Sequence, residues 1–185
     1  MLPIPIKERD VMPYRILVAD FLRKAELYGI SGPNAVRKVI FKSGSLAMIL
    51  YRIMWYLEKK RLPFLSVVFY KMLSFFCHCL IGRRADFGEG FVIMHTFGIV
   101  VNSSVRGGKN ITIQHGVTIG ENRGKSPVLG DNVFLGAGAK VFGDIRIGSN
   151  VKVGANSTVI KDVPDGALVS GVPALVVRIE AGSPL

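Results

Sequence analysis

The chain has 185 residues, 49% of them apolar, with 24 Lys and Arg against 13 Asp and Glu and a net charge of +11. Residues 1–86 hold fifteen basic against six acidic side chains and residues 87–185 nine against seven, so the excess charge is N-terminal. Because that charge accompanies aliphatic runs and no nucleic-acid motif is present, a nucleic-acid partner is excluded, and two cysteines are too few for a four-ligand zinc site.

The opening IPIKERDVMPYR is charged and polar, unlike a cleavable signal peptide, and this places the protein in the cytoplasm. Hydrophobic spacing then predicts helices near 11–29 and 34–42, followed by two very apolar helices, SLAMILYRIMWYLEKK (45–60) and LPFLSVVFYKMLSFFCHCLI (62–81). The second run is twenty residues long, enough for a bilayer, but Pro63, Lys71 and His78 interrupt it and disfavour a span. Basic residues beside apolar helices leave two readings. Either the helices bury their faces within the protein, or they lie on the anionic inner face of the cytoplasmic membrane as a peripheral association. Cys77 and Cys79, on either side of His78, read as buried free thiols, and no metal is expected.

From Leu129 onward the chain repeats every six residues: LGDNVF, LGAGAK, VFGDIR, IGSNVK, VGANST, VIKDVP. The first position is Leu129, Leu135, Val141, Ile147, Val153 and Val159. On a helix six steps of about 100° fall about 120° short of two turns, so this period cannot keep one helical face buried. Short strands with a period of two can, and Gly or Asn at the corners suits left-handed backbone. Hexapeptide periodicity is the signature of a parallel β-helix whose coils bury their apolar residues on one another. The register extends upstream through HTFGIV from His95, VNSSVR, GGKNIT and IQHGVT to Ile119, and back through ADFGEGF, covering about thirteen hexads from residue 83 to 163. Four surplus residues between Ile119 and Leu129 fall in the polar segment GENRGKSP and predict a loop pushed out of one coil. GAGAKVFG is no dinucleotide fingerprint, because Val141 stands where the third Gly belongs.

FGEGFVIMHTFGIVVNSS, VTIGE, LGAGAK and SGVPALVVR together resemble the catalytic half of the serine acetyltransferases and related sugar O-acetyltransferases of the hexapeptide-repeat family, over residues 81–178 and with no gap between Phe87 and Ile119. The resemblance implies a left-handed parallel β-helix, a homotrimer, acetyl-CoA as donor and active sites between neighbouring subunits. It divides the chain into a basic, apolar helical region (1–82), a β-helical acetyltransferase domain (83–166) and a C-terminal tail beside the CoA site (167–185).

His95 falls on the first, normally apolar position of its hexad, where a buried imidazole needs partners or a task. It stands at the family's catalytic His, which implies a general base that takes a proton from the acceptor hydroxyl. His115, twenty residues on, is expected about one coil above and two residues along, lining the cleft. Met94, Asn102, Ser103 and Gln114 are the remaining acceptor-side candidates. Small residues at Gly136, Ala137, Gly154 and Ala155 match the pantetheine groove, and Lys161 and Arg178 match cations near the nucleotide phosphates.

The acceptor pattern departs from the serine enzymes. Met94 stands where they have an Asp before the His, Leu80 where a further Asp supports it, and Lys125-Ser126 in place of an Arg-His pair. Holding a serine zwitterion takes a carboxylate and a cation, and only the cation is retained. A saccharide hydroxyl of a surface-polysaccharide precursor is therefore the first expectation, serine O-acetylation the alternative, and a non-catalytic trimeric scaffold a further one.

Overall fold

The computed structural model describes residues 13–179, so the first part of the charged opening segment and the end of the C-terminal tail lie outside the described residues. Four helices come first: α1 (Pro13–Leu27), α2 (Ala35–Val39), α3 (Ser45–Lys59) and α4 (Pro63–Cys77). Two- and three-residue strands then wind into a three-sided parallel solenoid. One sheet joins Leu80–Ile81, Val100–Val101, Thr118–Gly120, Lys140–Phe142 and Thr158–Val159, and each other side has its own parallel ladder. Ala167–Gly171 joins the third sheet in parallel beside Lys152–Val153, and Ala174–Ile179 folds back on it as an antiparallel hairpin that closes the sheet.

The hexad aliphatics form the core as the repeat requires. Ile113, Ile119, Leu135, Val141, Ile147 and Val153 are fully buried, with Ile113, Leu135 and Val153 stacked on one side, Ile119 and Val141 on another and Ile147 over Leu129 on the third. The corner before the third sheet is turned by Asn110, Asn132 and Asn150, all left-handed, and their side-chain amides form a ladder at 2.9 Å from coil to coil. The predicted loop is present. Lys140 pairs with Thr118, twenty-two residues apart, where Thr158 pairs with Lys140 at eighteen, which places four extra residues in 121–127.

The upstream register differs from expectation. Leu80 pairs with Val100, Asp86 with Arg106 and Val92 with Thr112, so the first coil is twenty residues long. The continuous hexads between Phe87 and Ile119 therefore contain a gap. Ile93, not His95, occupies the inward position, and eight residues rather than six separate Ile93 from Val101, the equivalent inward strand residue of the next side.

A solenoid's first coil exposes backbone groups that need a cap. Here α1 and α3 supply it through a buried ion pair. Arg52 Nε donates to Asp20 Oδ2 at 2.7 Å, while its two terminal nitrogens donate to the carbonyls of Phe87 (2.8 Å) and Gly88 (2.6 Å). Asp20 in turn accepts the Phe91 N–H at 2.9 Å, and the Tyr51 hydroxyl donates to the Ala85 carbonyl at 3.0 Å. Every polar group in that arrangement has a partner, which is the condition under which buried charge is tolerated; removing one partner of such a pair costs about 3–5 kcal/mol.

The apolar run predicted as one helix over 62–81 is two elements. Helix α4 stops at Cys77, His78 turns left-handed (φ +50°), and Leu80–Ile81 is already the first strand of the solenoid. Among the described residues no helix is long and apolar enough to cross a membrane. Only Ser66, Leu73 and Cys77 of α4 are buried, whereas Phe64 (79%) and Phe75 (74%) are largely exposed. Cys77 and Cys79 are free and buried, and burial pushes the Cys79 thiol up to about 12.

Candidate active site

The solenoid register gathers most of the predicted site on one edge. Ile93 pairs with Ile113, Ile113 with Leu135 and Leu135 with Val153. The two residues after each of these strands turn the same corner, so Met94, Gln114, Gly136 and Gly154 form one column and His95, His115, Ala137 and Ala155 the next. His115 thus lies directly above His95 rather than two residues along, because the first coil holds twenty residues. Their rings meet edge to face with centroids 6.0 Å apart.

His95 is exposed, not buried as its hexad position suggested. The two surplus residues of the first coil widen this corner between Ile93 and Ile99, and Phe97 swings outward to stack on His78 at 5.1 Å between centroids. On this open corner the imidazole is accessible to a molecule from solvent, which an inward residue is not. Its Nδ1 lies 3.3 Å from Ser43 Oγ, contributed by the turn between α2 and α3.

That turn is held from below. The Lys24 ammonium, in α1, donates to the carbonyls of Ser43 (2.5 Å) and Ile93 (3.1 Å) and to Ser45 Oγ (3.0 Å). Burial lowers its pKa to about 8. Gly44 takes φ +82°, and a Cβ there would lie 2.1 Å from the Ile93 carbonyl oxygen, so only glycine allows the turn to press on the coil. Neither Ser43 nor Lys24 was singled out in the sequence. Fifty-two residues separate Ser43 from His95, and no local pattern signals the contact.

Among the donor-side candidates, Ala137 and Ala155 turn the corner directly above the histidines. Gly136 and Gly154 have a second reason to be small. A Cβ on Gly136 would meet the Ala155 amide nitrogen at 2.8 Å, so coil-on-coil backbone contact already demands glycine there, while one on Gly154 would crowd the Ser170 hydroxyl at 2.9 Å. Lys161 is exposed after the last strand of the first sheet, and Arg178 lies on the closing hairpin.

Asn102 and Ser103 are not on this corner within one chain. They follow Val101 onto the next edge, where Asn102 Oδ1 accepts the Ser104 N–H at 2.9 Å and its amide donates to Glu121 at 3.2 Å. Ser126 of the protruding loop shares that edge, 2.7 Å from the Ser104 hydroxyl, and Lys125 pairs with Asp144.

Comparison with known proteins follows this geometry. Residues 126–161 match the family model described as bacterial transferase hexapeptide (six repeats). The chain is 36% identical over 145 residues to a serine acetyltransferase of Helicobacter pylori (strain J99), covering 76% of this chain and 85% of that protein. Its fold is similar to that of the Neisseria gonorrhoeae serine acetyltransferase, with a TM-score of 0.83, 32% identity, and 95% of this chain and 70% of that one covered. It is also similar to the Brucella abortus serine acetyltransferase solved in complex with coenzyme A, with a TM-score of 0.83, 26% identity, and 92% and 69% covered.

Proposed function

Because the chain belongs to the serine acetyltransferase family of hexapeptide-repeat transferases, we propose that it moves an acetyl group from acetyl-CoA to the hydroxyl of L-serine, with His95 as general base. The observation that carries this reading is the 36% identity over 85% of a serine acetyltransferase, together with His95 on an open corner beneath His115.

A hydroxyl is a weak nucleophile near neutral pH, so its proton must leave as its oxygen attacks the thioester carbonyl. In this reading a ring nitrogen of His95 takes that proton. The tetrahedral centre then collapses, the carbon–sulfur bond breaks, and the imidazolium returns the proton to the departing thiolate. The products are an O-acetyl ester and the free thiol of CoA. His115, one coil above, lines the acceptor cleft, with Met94 and Gln114 beside the pair. Pantetheine follows the small corner residues Ala137 and Ala155, and Lys161 and Arg178 face the phosphates.

The site column is open to solvent in a single chain, which supports a homotrimer in which a neighbour closes the groove and supplies its own Asn102 edge. The exposed apolar face of α4 supports contact with an anionic membrane surface as a separate proposal.

A saccharide hydroxyl is the second reading, favoured by one observation. Met94 offers no carboxylate for a serine ammonium, and Leu80 stands where the serine enzymes have an Asp that supports the His. The deciding experiment measures kcat/KM for L-serine against a panel of nucleotide sugars and polyprenyl-linked sugars, in the wild type and in Met94→Asp. L-Serine turned over at least as well as every saccharide supports the first reading; a saccharide preferred tenfold or more replaces it with the second. No thiol release with any acceptor would leave the scaffold alternative.

A further inference from the structure

We propose that Ser43, contributed by the helical region, is the positioning residue of the catalytic histidine, holding the neutral His95 ring as its Nδ1–H tautomer so that Nε2 faces the acceptor with a free lone pair. The inference rests on the reading of His95 as the base.

Ser43 Oγ lies 3.3 Å from Nδ1 of His95, within reach of a hydrogen bond. Both ends of that contact are fixed by one group. The Lys24 ammonium holds the Ser43 carbonyl at 2.5 Å and the carbonyl of Ile93, two residues before His95, at 3.1 Å. The turn therefore cannot drift relative to the coil without breaking a buried, three-partner ammonium site. Gly44 adds a steric lock, since it lets the turn backbone lie against the Ile93 carbonyl where any Cβ would collide.

A base needs one unprotonated nitrogen aimed at the proton it removes, and the hydrogen bond at the other nitrogen selects which one that is. Leu80, at the position where the family resemblance places a supporting carboxylate, cannot do this; the exposed Ser43 hydroxyl, able to donate its own proton to solvent, is placed to accept the Nδ1–H. A hydroxyl differs from a carboxylate in that it orients the ring without adding a negative charge beside it. The helical region is in this way part of the catalytic apparatus, which the linear separation of Ser43 from His95 conceals.

Three histidines in the chain make the test direct. Two-bond ¹H–¹⁵N correlation spectra of the full-length protein, above the pH at which the rings are neutral, report the tautomer of each, with His95 assigned by loss of its signals in His95→Ala. The expected result is the Nδ1–H form at His95 in the wild type and a shift toward the Nε2–H form in Ser43→Ala. Ser43→Ala should lower kcat about tenfold, the worth of one neutral hydrogen bond, with KM for acetyl-CoA within about twofold and the thermal midpoint unchanged. Ser43→Thr should restore both kcat and tautomer. An Nε2–H ring in the wild type, or unchanged kcat and tautomer in Ser43→Ala while His95→Ala is inactive, overturns the role of Ser43 and leaves the base in place. Full activity in His95→Ala overturns the base reading itself.

Discussion

His95 and His115 stand one directly above the other at the same corner of consecutive coils, their rings edge to face at 6.0 Å between centroids. Such a pair places two proton carriers within reach of one acceptor hydroxyl, yet only the lower one touches the Ser43 turn. That asymmetry supports the proposed reading of His95 as the base and His115 as a cleft residue. His95→Ala is expected to lower kcat by about 10²-fold or more while acetyl-CoA affinity stays within a few fold, because a base acts in the transition state rather than in donor binding. His115→Ala should lower kcat less and raise KM for the acceptor. Steady-state kinetics on both variants check this, and the reverse order would exchange the assignments.

Ile147 is fully buried in the solenoid and Ile160 is 51% exposed just beyond a strand of another face. Replacing each by Asp separates core from corner. Ile147→Asp places an unpaired carboxylate among Leu129, Val141 and Val153 and is expected to cost about 3–5 kcal/mol, whereas Ile160→Asp should cost less than about 1 kcal/mol. Equal shifts in denaturant midpoints would contradict the inward register.

Ala155 lies on the His95 corner, one coil above Ala137, and is exposed. Ala155→Trp adds bulk on the groove side and should abolish acetyl-CoA binding by calorimetry with little change in thermal midpoint. Unchanged affinity would move the donor groove to another edge.

Lys24 makes stability depend on alkaline pH. Its ammonium is lowered by burial from an ordinary 10.5 to about 8, so between those values the unfolded chain holds a proton that the folded chain has released. Unfolding then takes up a proton, and raising the pH favours the folded state through that window. Below pH 8 both states are protonated and the cost of burying the charge is felt in full. The unfolding free energy of the wild type minus that of Lys24→Met should accordingly increase from pH 7.5 to 10. A flat difference would show that the ammonium is not disfavoured by folding.

Much of the architecture is written locally. A six-residue period with aliphatics at one position admits a parallel solenoid and no helix, and the four-residue surplus in GENRGKSP marks the loop at 121–127. The eighteen-residue coil stacks Gly136 under Gly154 and Ala137 under Ala155 by the same arithmetic, whereas Met94 and His95 fall directly under Gln114 and His115 only because the first coil holds twenty residues. The acceptor is less legible. Met94 and Leu80 pointed away from serine, while the identity to serine acetyltransferases over most of the chain points toward it, because loss of a few carboxylates changes binding chemistry without altering the fold.

The sequence by itself determined the repeat and the four helical segments, because each depends on spacing along the chain, while the candidate residues of the corner came from the family resemblance. The tertiary structure alone decided the rest. Two extra residues after Ile93 leave the inward–outward alternation intact, since side chains alternate with a period of two, so a register counted back from Val101 put His95 inside when it is exposed. The apolar run 62–81 hid the end of α4, because a buried strand follows at once and both elements are rich in the same residues. Ser43 reaches His95, and Asp20 and Arg52 reach the first coil, only when the helices close over the solenoid, and contacts between groups so far apart in the chain leave no period to read.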